Sequence, residues 1–193
     1  MPGRFKHLIG QVAILLAQAA WQHNEGKVRF GIPVDLRFRK PGLRSTANLT
    51  NLIYVDVVPG MTPGDVAQSI SQQIHDRKDG MLYWADELVK YMPITLIKRA
   101  IKREIAEKNA SGRYRNSGIL SNVGYIPMEI FQGGGFKTEY FWGTVTGQEF
   151  LPIFIGMAYI GEGASFIVSM PRSLASHGRF DAIIEHIRQG LVP

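Results

Sequence analysis

Apolar side chains recur at helical spacing near the start of the chain, at Phe5, Leu8, Ile9, Val12, Leu15, Leu16 and Ala19. Ala13, Ile14, Ala17 and Ala20 fill much of the remaining circumference, so the pattern predicts a helix buried on most sides. Asn24-Glu25-Gly26 ends it, with Gly26 as the expected C-terminal cap. The period then changes to two. Val28, Phe30, Ile32, Val34, Leu36 and Phe38 alternate with Arg29, Gly31, Pro33, Asp35, Arg37 and Arg39, which predicts a strand with one apolar face. Pro33 has no N–H for a ladder, so the strand is expected to be an edge there or to bulge. A loop follows over Lys40 to Thr46, and a second strand over Asn51 to Val58.

Thr62-Pro63-Gly64-Asp65 reads as a helix start, with Thr62 as N-cap, Pro63 in the first position and Asp65 at the positive end of the dipole. Val66, Ala67, Ile70 and Ile74 give its buried stripe, and Asp79-Gly80 breaks it. A further helical stretch is expected from Met81 to Asn109, interrupted near Pro93. Beyond Arg115 four strands are predicted: Ser117 to Val123, Thr138 to Thr146, Phe150 to Ile160 and Ala164 to Met170. The third is nearly all apolar and hence central. Gly133-Gly134-Gly135 is a turn, Gly161-Glu162-Gly163 a hairpin, and Phe180, Ile183, Ile184, Ile187 and Leu191 mark a last helix. Strands and helices mix without strict alternation. This order implies an α/β two-layer sandwich, with a mixed sheet and helices mainly on one face.

The composition is that of a globular protein, with 45% apolar and 20% charged residues. The longest purely apolar run, Val12 to Ala17, is far short of the roughly 20 residues a membrane span needs. Without cysteine there is no disulfide, thiolate metal site or cysteine nucleophile. Met1-Pro2-Gly3-Arg4 lacks a secretory signal's pattern, so a cytoplasmic protein is expected. A net charge of +6 favours acidic partners without choosing among them.

The sequence holds no phosphate-binding loop, no His-Glu-x-x-His and no Gly-x-Ser-x-Gly. The five histidines, His7, His23, His75, His177 and His186, are scattered, with no spacing that converges metal ligands.

Three segments read together carry a resemblance. The first is the buried helix, then Val28-Arg29-Phe30-Gly31-Ile32-Pro33-Val34-Asp35-Leu36-Arg37 and Asn48-Leu49-Thr50-Asn51. The second is Leu120-Ser121-Asn122-Val123-Gly124, and the third runs from Pro152 to Leu191. In this order they resemble the C-terminal lobe of an acyltransferase of the chloramphenicol acetyltransferase-like superfamily, nearest the condensation or alcohol-acetyltransferase type. The resemblance covers essentially the whole chain, so residues 1–193 read as one domain. Complete members have two similar lobes, and their His-His-x-x-x-Asp motif, in the N-terminal lobe, supplies the general base. This chain has no His-His pair.

The resemblance therefore implies a lobe that is inactive alone. Joined to its catalytic lobe, it would transfer an acyl group from a coenzyme A or phosphopantetheine thioester to a hydroxyl or amine, with no tightly bound cofactor. The other reading is a non-catalytic binding or scaffold module that keeps the fold. By the same resemblance Ser121, with Asn122 beside it, takes the place of a strand serine that donates to the oxyanion. The alternative is that both satisfy backbone groups where the strand ends. Ser169 to Gly178 takes the place of the histidine motif in single-lobe members, with His177 displaced towards the helix start. Arg37 and Asn51 match recurrent positions of the lobe. For Arg37 an ion pair with a carboxylate stands beside substrate contact.

Lys98, Arg99, Lys102, Arg103, Lys108, Arg113 and Arg115 concentrate positive charge. They read as a solvated helix face with i,i+4 pairs, or as a docking surface for coenzyme A phosphates or an acidic acyl carrier protein. No nucleic-acid-binding motif accompanies them. The expected partners are the N-terminal lobe or a second copy of the chain, meeting on apolar surface the lobe leaves uncovered.

Overall fold

The computed structural model describes residues 7–23, 25–80, 88–112, 114–145, 151–161 and 163–191. The first apolar period forms helix α1, Leu8–Trp21, whose Leu8, Gly10, Val12, Ala13, Leu16 and Ala17 are buried. Its C-cap is Gln22 and not Gly26, because the helix stops a turn earlier. The Gly26 carbonyl instead accepts the Trp21 indole N–H at 2.9 Å.

The alternating segment forms β1, Val28–Asp35, but the strand ends before the alternation does. Leu36–Arg39 turns into a 3-10 helix, because the Asp35 carboxylate accepts the Arg37 N–H at 3.0 Å and caps a turn there. Phe38, assigned from the alternation to the apolar face, is exposed. β2, Thr50–Val57, pairs antiparallel with β1 along its whole length.

Helix α2, Pro63–His75, begins with the expected capping box: the Asp65 N–H donates to Thr62 Oγ1 at 3.2 Å and the Thr62 N–H to Asp65 Oδ2 at 2.8 Å. These bonds lower the Asp65 pKa. Gly10 of α1 faces the start of α2, where any Cβ would run into the Pro63 carbonyl, so glycine sets how closely the two helices approach. Of the long helical stretch, residues 81–87 lie outside the described residues, and α3 spans Ile94–Ser111 with Pro93 as its N-cap.

Three strands follow among the described residues, and not four: β3, Gly118–Tyr125; β4, Phe154–Ile160; and β5, Gly163–Ser169. Residues 138–145 run over the sheet without pairing into it, and Thr146 lies outside the described residues. β4 starts at Phe154, later than its apolar run, and is central as expected. A short helix α4, Arg172–Ala175, precedes α5, Arg179–Leu191.

The sheet order is β2-β1-β3-β4-β5. The outer pairs β1–β2 and β4–β5 are antiparallel, while β1–β3 and β3–β4 are parallel. β1 and β3 pair only at Phe30↔Gly118 and Gly31↔Ile119. Arg29 exchanges hydrogen bonds with Ser117 on the β3 side, so by strand parity Pro33 turns its missing donor to that side, past the end of the pairing. The expected edge-like behaviour at Pro33 is thus local to one flank of a strand that lies inside the sheet.

The core lies between one sheet face and α1, α2 and α5. Val28, Phe30, Ile32, Ile53, Val55, Val57, Leu120, Ile155 and Met157 meet Leu8, Val12, Leu16, Val66 and Ile187 there. Each such side chain contributes about 1.5–3 kcal/mol by leaving water. This is the two-layer arrangement read from the sequence.

Candidate functional site

The second sheet face carries no helix among α1, α2 and α5. Period two sends Leu120 to the core and Ser121 to this open face. There Ser121 lies opposite Gly156 of β4, which lies opposite Ile167 of β5. Around it is a cavity of about 200 Å3. Its floor is formed by Ser121, Phe154, Gly156, Ala158, Ser165 and Ile167, and its cover by Phe141, Trp142, Gly143 and Val145. The cover is pinned where the Phe141 ring stacks on Phe131, with centroids 5.5 Å apart, and where Thr138 Oγ1 donates to the Phe131 carbonyl at 2.6 Å.

Ser121 and Asn122 part company. The Asn122 side-chain oxygen accepts the Gly124 N–H at 2.9 Å, so it satisfies the backbone at a bend in β3. The bend coincides with the register shift between β3 and β4 after Asn122, and Gly124 takes the left-handed conformation it needs, with φ 78°. The strand continues past this point to Tyr125. The Ser121 hydroxyl has no hydrogen-bond partner among the described residues and faces the cavity. Apart from Ser121, Ser165 and the Trp142 indole, the lining described is apolar, with no His, Asp, Glu or Lys. The site can donate a hydrogen bond to a polar atom on an otherwise apolar ligand. Its described lining holds no general base.

The remaining positions singled out in the sequence lie elsewhere. Arg37 sits in the 3-10 turn and not on the strand. Its Nη1 donates to Asp35 Oδ1 at 2.9 Å, Nε to the Ser45 carbonyl at 3.1 Å, and Nη2 to the Ala47 carbonyl at 2.5 Å. The Arg37 N–H, then its guanidinium, hold the Asp35 carboxyl below its ordinary range. The ion-pair alternative thus describes its geometry, and the guanidinium also fastens the loop before β2. Asn51 donates to the Asp79 carbonyl at 2.6 Å and accepts the Leu52 N–H at 2.9 Å, joining β2 to the 3-10 turn, Lys78–Gly80, that follows α2.

His177 is exposed, with φ 59°, in the turn between α4 and α5, and does not line the Ser121 cavity. Among the described residues no three His, Asp or Glu side chains converge on a common point that would hold a metal ion.

The basic stretch lies on α3. Arg103 pairs with Glu107 at 2.9 Å and Lys108 with Glu104 at 2.9 Å, both i,i+4. The Lys108 hydrogen bond lowers the Glu104 pKa, and Arg115 stands 3.5 Å from the same carboxylate. Lys98, Arg99 and Lys102 are exposed and form no ion pair among the described residues. Arg113 lies outside the described residues.

The sequence did not single out Arg39 and Asp79. The Asp79 side chain is fully buried and bound by Arg39 Nε at 3.0 Å and Nη2 at 2.6 Å. Arg39 belonged to the polar half of an alternation and Asp79 to a helix-breaking pair, so neither stood out.

No family model matches this sequence, and no curated protein matches it. Solved structures do. The starter condensation domain of the rhizomide synthetase superimposes with a TM-score of 0.56 at 12% identity, over 96% of this chain and 40% of that one. The structure of condensation domain-mediated chain release from the enacyloxin polyketide synthase gives 0.55 at 12% identity, over 97% and 35%. This chain therefore spans well under half the length of either. No helix among the described residues is long and apolar enough to cross a membrane. The likeness is one of three-dimensional arrangement, and by it this chain has the fold of one chloramphenicol acetyltransferase-like lobe of a condensation domain.

Proposed function

We propose that this chain is the C-terminal lobe of a condensation-type acyltransferase. It acts with a histidine-bearing N-terminal lobe, and the pair moves an acyl group from a coenzyme A or carrier-protein thioester to a hydroxyl or amine. The observation that carries this reading is the Ser121 hydroxyl, without a partner among the described residues and facing an apolar cavity on the sheet face away from α1, α2 and α5. When the acceptor attacks a thioester carbonyl, the oxygen gains charge. A fixed hydroxyl donating to it in an apolar setting stabilises that charge more than the ground-state carbonyl. The acceptor proton must go to a base, and the described cavity lining has none. In this reading the base comes from the other lobe, since the chain has no His-His pair, and thioester turnover should be absent from the isolated chain. Turnover by the isolated chain that disappears in His177→Ala would overturn this division of labour.

The test of the serine is the reconstituted two-lobe enzyme. Ser121→Ala should lower kcat by about 10²–10³-fold with little change in KM. Its melting temperature should stay unchanged, since the Ser121 hydroxyl has no partner among the described residues. An unchanged kcat would instead support the second reading, a binding module without chemistry, which the missing base in the cavity also favours.

A further inference from the structure

Two glycines border the Ser121 cavity, Gly156 on its floor and Gly143 in its cover. Two other strand glycines have a reason within the fold, and Gly124 has its in a φ of 78°. At Gly118 a Cβ would meet Ile153 Cγ2 at 2.7 Å and the Ile153 carbonyl at 2.9 Å, so packing demands a hydrogen there. Neither account applies to the cavity pair. Neither has a positive φ. A Cβ on Gly156 would meet nothing nearer than Phe154 Cε1 at 3.6 Å and Ile167 Cβ at 3.7 Å. On Gly143 the nearest atom is Ile167 Cδ1 at 3.7 Å. These are ordinary contacts. A glycine inside a central strand also weakens it, by roughly 0.5–1 kcal/mol relative to alanine. The space these glycines leave opens into the cavity beside Ser121.

We infer that Gly156 and Gly143 set the width of a site for a linear alkyl chain, whose polar head lies at Ser121. The lining is apolar, and its volume of about 200 Å3 exceeds that of a cavity able to take benzene. It suits a straight chain of about eight carbons, scaled from that case. Side chains at positions 156 and 143 would fill it from floor and cover, so the two positions select for chain length and against branching. The inference rests on reading the Ser121 cavity as a substrate pocket.

The experiment is binding to the full chain by calorimetry, with 1-octanol, octanoyl-coenzyme A and butyryl-coenzyme A as probes. The native chain should bind the octanoyl thioester about tenfold or more tightly than the butyryl one, and should bind octanol. Gly156→Ala and Gly143→Ala should each erase most of that preference, leave butyryl binding within about twofold, and keep or raise the melting temperature. Two substitutions on opposite walls keep the test sound should one of them disturb the fold. A native chain indifferent to chain length, or alanine variants that keep the preference, would overturn the inference. The two readings fail separately. Octanol has no carbonyl, so octanol binding lost in Gly156→Ala upholds the chain site even if Ser121→Ala leaves kcat unchanged. A slowed Ser121→Ala enzyme whose chain-length preference survives Gly156→Ala would sink only the chain site.

Discussion

Arg39 holds the Asp79 carboxylate in a two-pronged grip, Nε at 3.0 Å and Nη2 at 2.6 Å, and the same Nη2 reaches the Ile74 carbonyl. One guanidinium thereby joins the turn after β1 to the last turn of α2, and the Asn51 side chain bonds the Asp79 carbonyl from β2. Asp79 is the buried charged residue among those described, while Arg39 keeps about a third of its side chain in water. Removing Arg39 leaves a carboxylate in the interior without its counter-ion. We expect Arg39→Ala to cost about 3 kcal/mol, the low end for breaking a buried pair, measured by urea unfolding. A loss below about 0.5 kcal/mol would show that water reaches the carboxylate.

Asp56 gives a pH dependence. Its carboxylate accepts Arg29 Nε at 2.6 Å and Nη2 at 2.9 Å, and Lys27 Nζ lies 2.9 Å away. The Arg29 hydrogen bond, opposed by burial and helped by Lys27, brings its pKa from 3.8 to about 2. A depressed folded pKa means that the unfolded chain takes up the proton first. The stabilisation is fully present above 3.8 and is lost as pH falls towards about 2. Asp56→Asn should be less stable than the native chain at pH 7 by about 1 kcal/mol, since the pair is partly exposed. The two proteins should converge below about pH 2. Parallel stability curves across that range would contradict the assignment.

Apolar side chains stand in water over much of the surface away from the core. Tyr91 is 82% exposed, Trp142 71% and Val123 69%, with Ile94, Ile130, Phe136 and Tyr140 also out. Monomeric proteins rarely leave contiguous patches beyond a few hundred Å2 uncovered. The isolated chain should therefore self-associate, and multi-angle light scattering should show a dimer or larger species. A clean monomer at high concentration would count against a missing lobe.

The uncompensated end of α3 offers another check. Lys98, Arg99 and Lys102 make no pairs among the described residues, whereas Arg103 and Lys108 do. If an acidic carrier protein docks on α3, raising salt from 0.05 to 0.2 M, through the usual screening range, should weaken it steeply. Lys102→Glu with Arg103→Glu should slow association more than it speeds dissociation, in surface plasmon resonance. Indifference to both changes would leave the helix a solvated surface.

Most of the fold was legible because its signals are local. The α2 capping box needs only Thr62, Pro63 and Asp65, and α1 needs only its own period. The failures came where a tertiary or side-chain contact overruled the pattern. Asp35 capped a turn and cut β1 short although Leu36 and Phe38 kept the alternation. Thr138 to Thr146 read as a strand, yet Phe141 and Trp142 from this stretch cover the cavity, and its described part adds no rung to the sheet. Ser121 was legible through the resemblance carried by Leu120 to Gly124, and no local pattern singled it out. That Asn122 is used up at Gly124, while Ser121 has no partner among the described residues, depends on the bend and the contacts around β3, which one-dimensional pattern does not carry. The Arg39–Asp79 pair joins residues far apart in sequence and has no periodic signature.

The brief pairing of β1 with β3 makes the sheet two plates sharing a seam. β1–β2 form one plate and β3–β4–β5 the other, and the shared ladder spans only Phe30 to Gly31 against Gly118 to Ile119. Pro33, with no amide to offer, stops the seam from closing further. α1, which touches β1, β2 and β3, is the clasp across it. Separate cooperative units in a protein reveal themselves by different rates of amide deuteration. The two plates should protect their amides to different degrees, and loosening α1 should let them part as bodies while each keeps its own ladders.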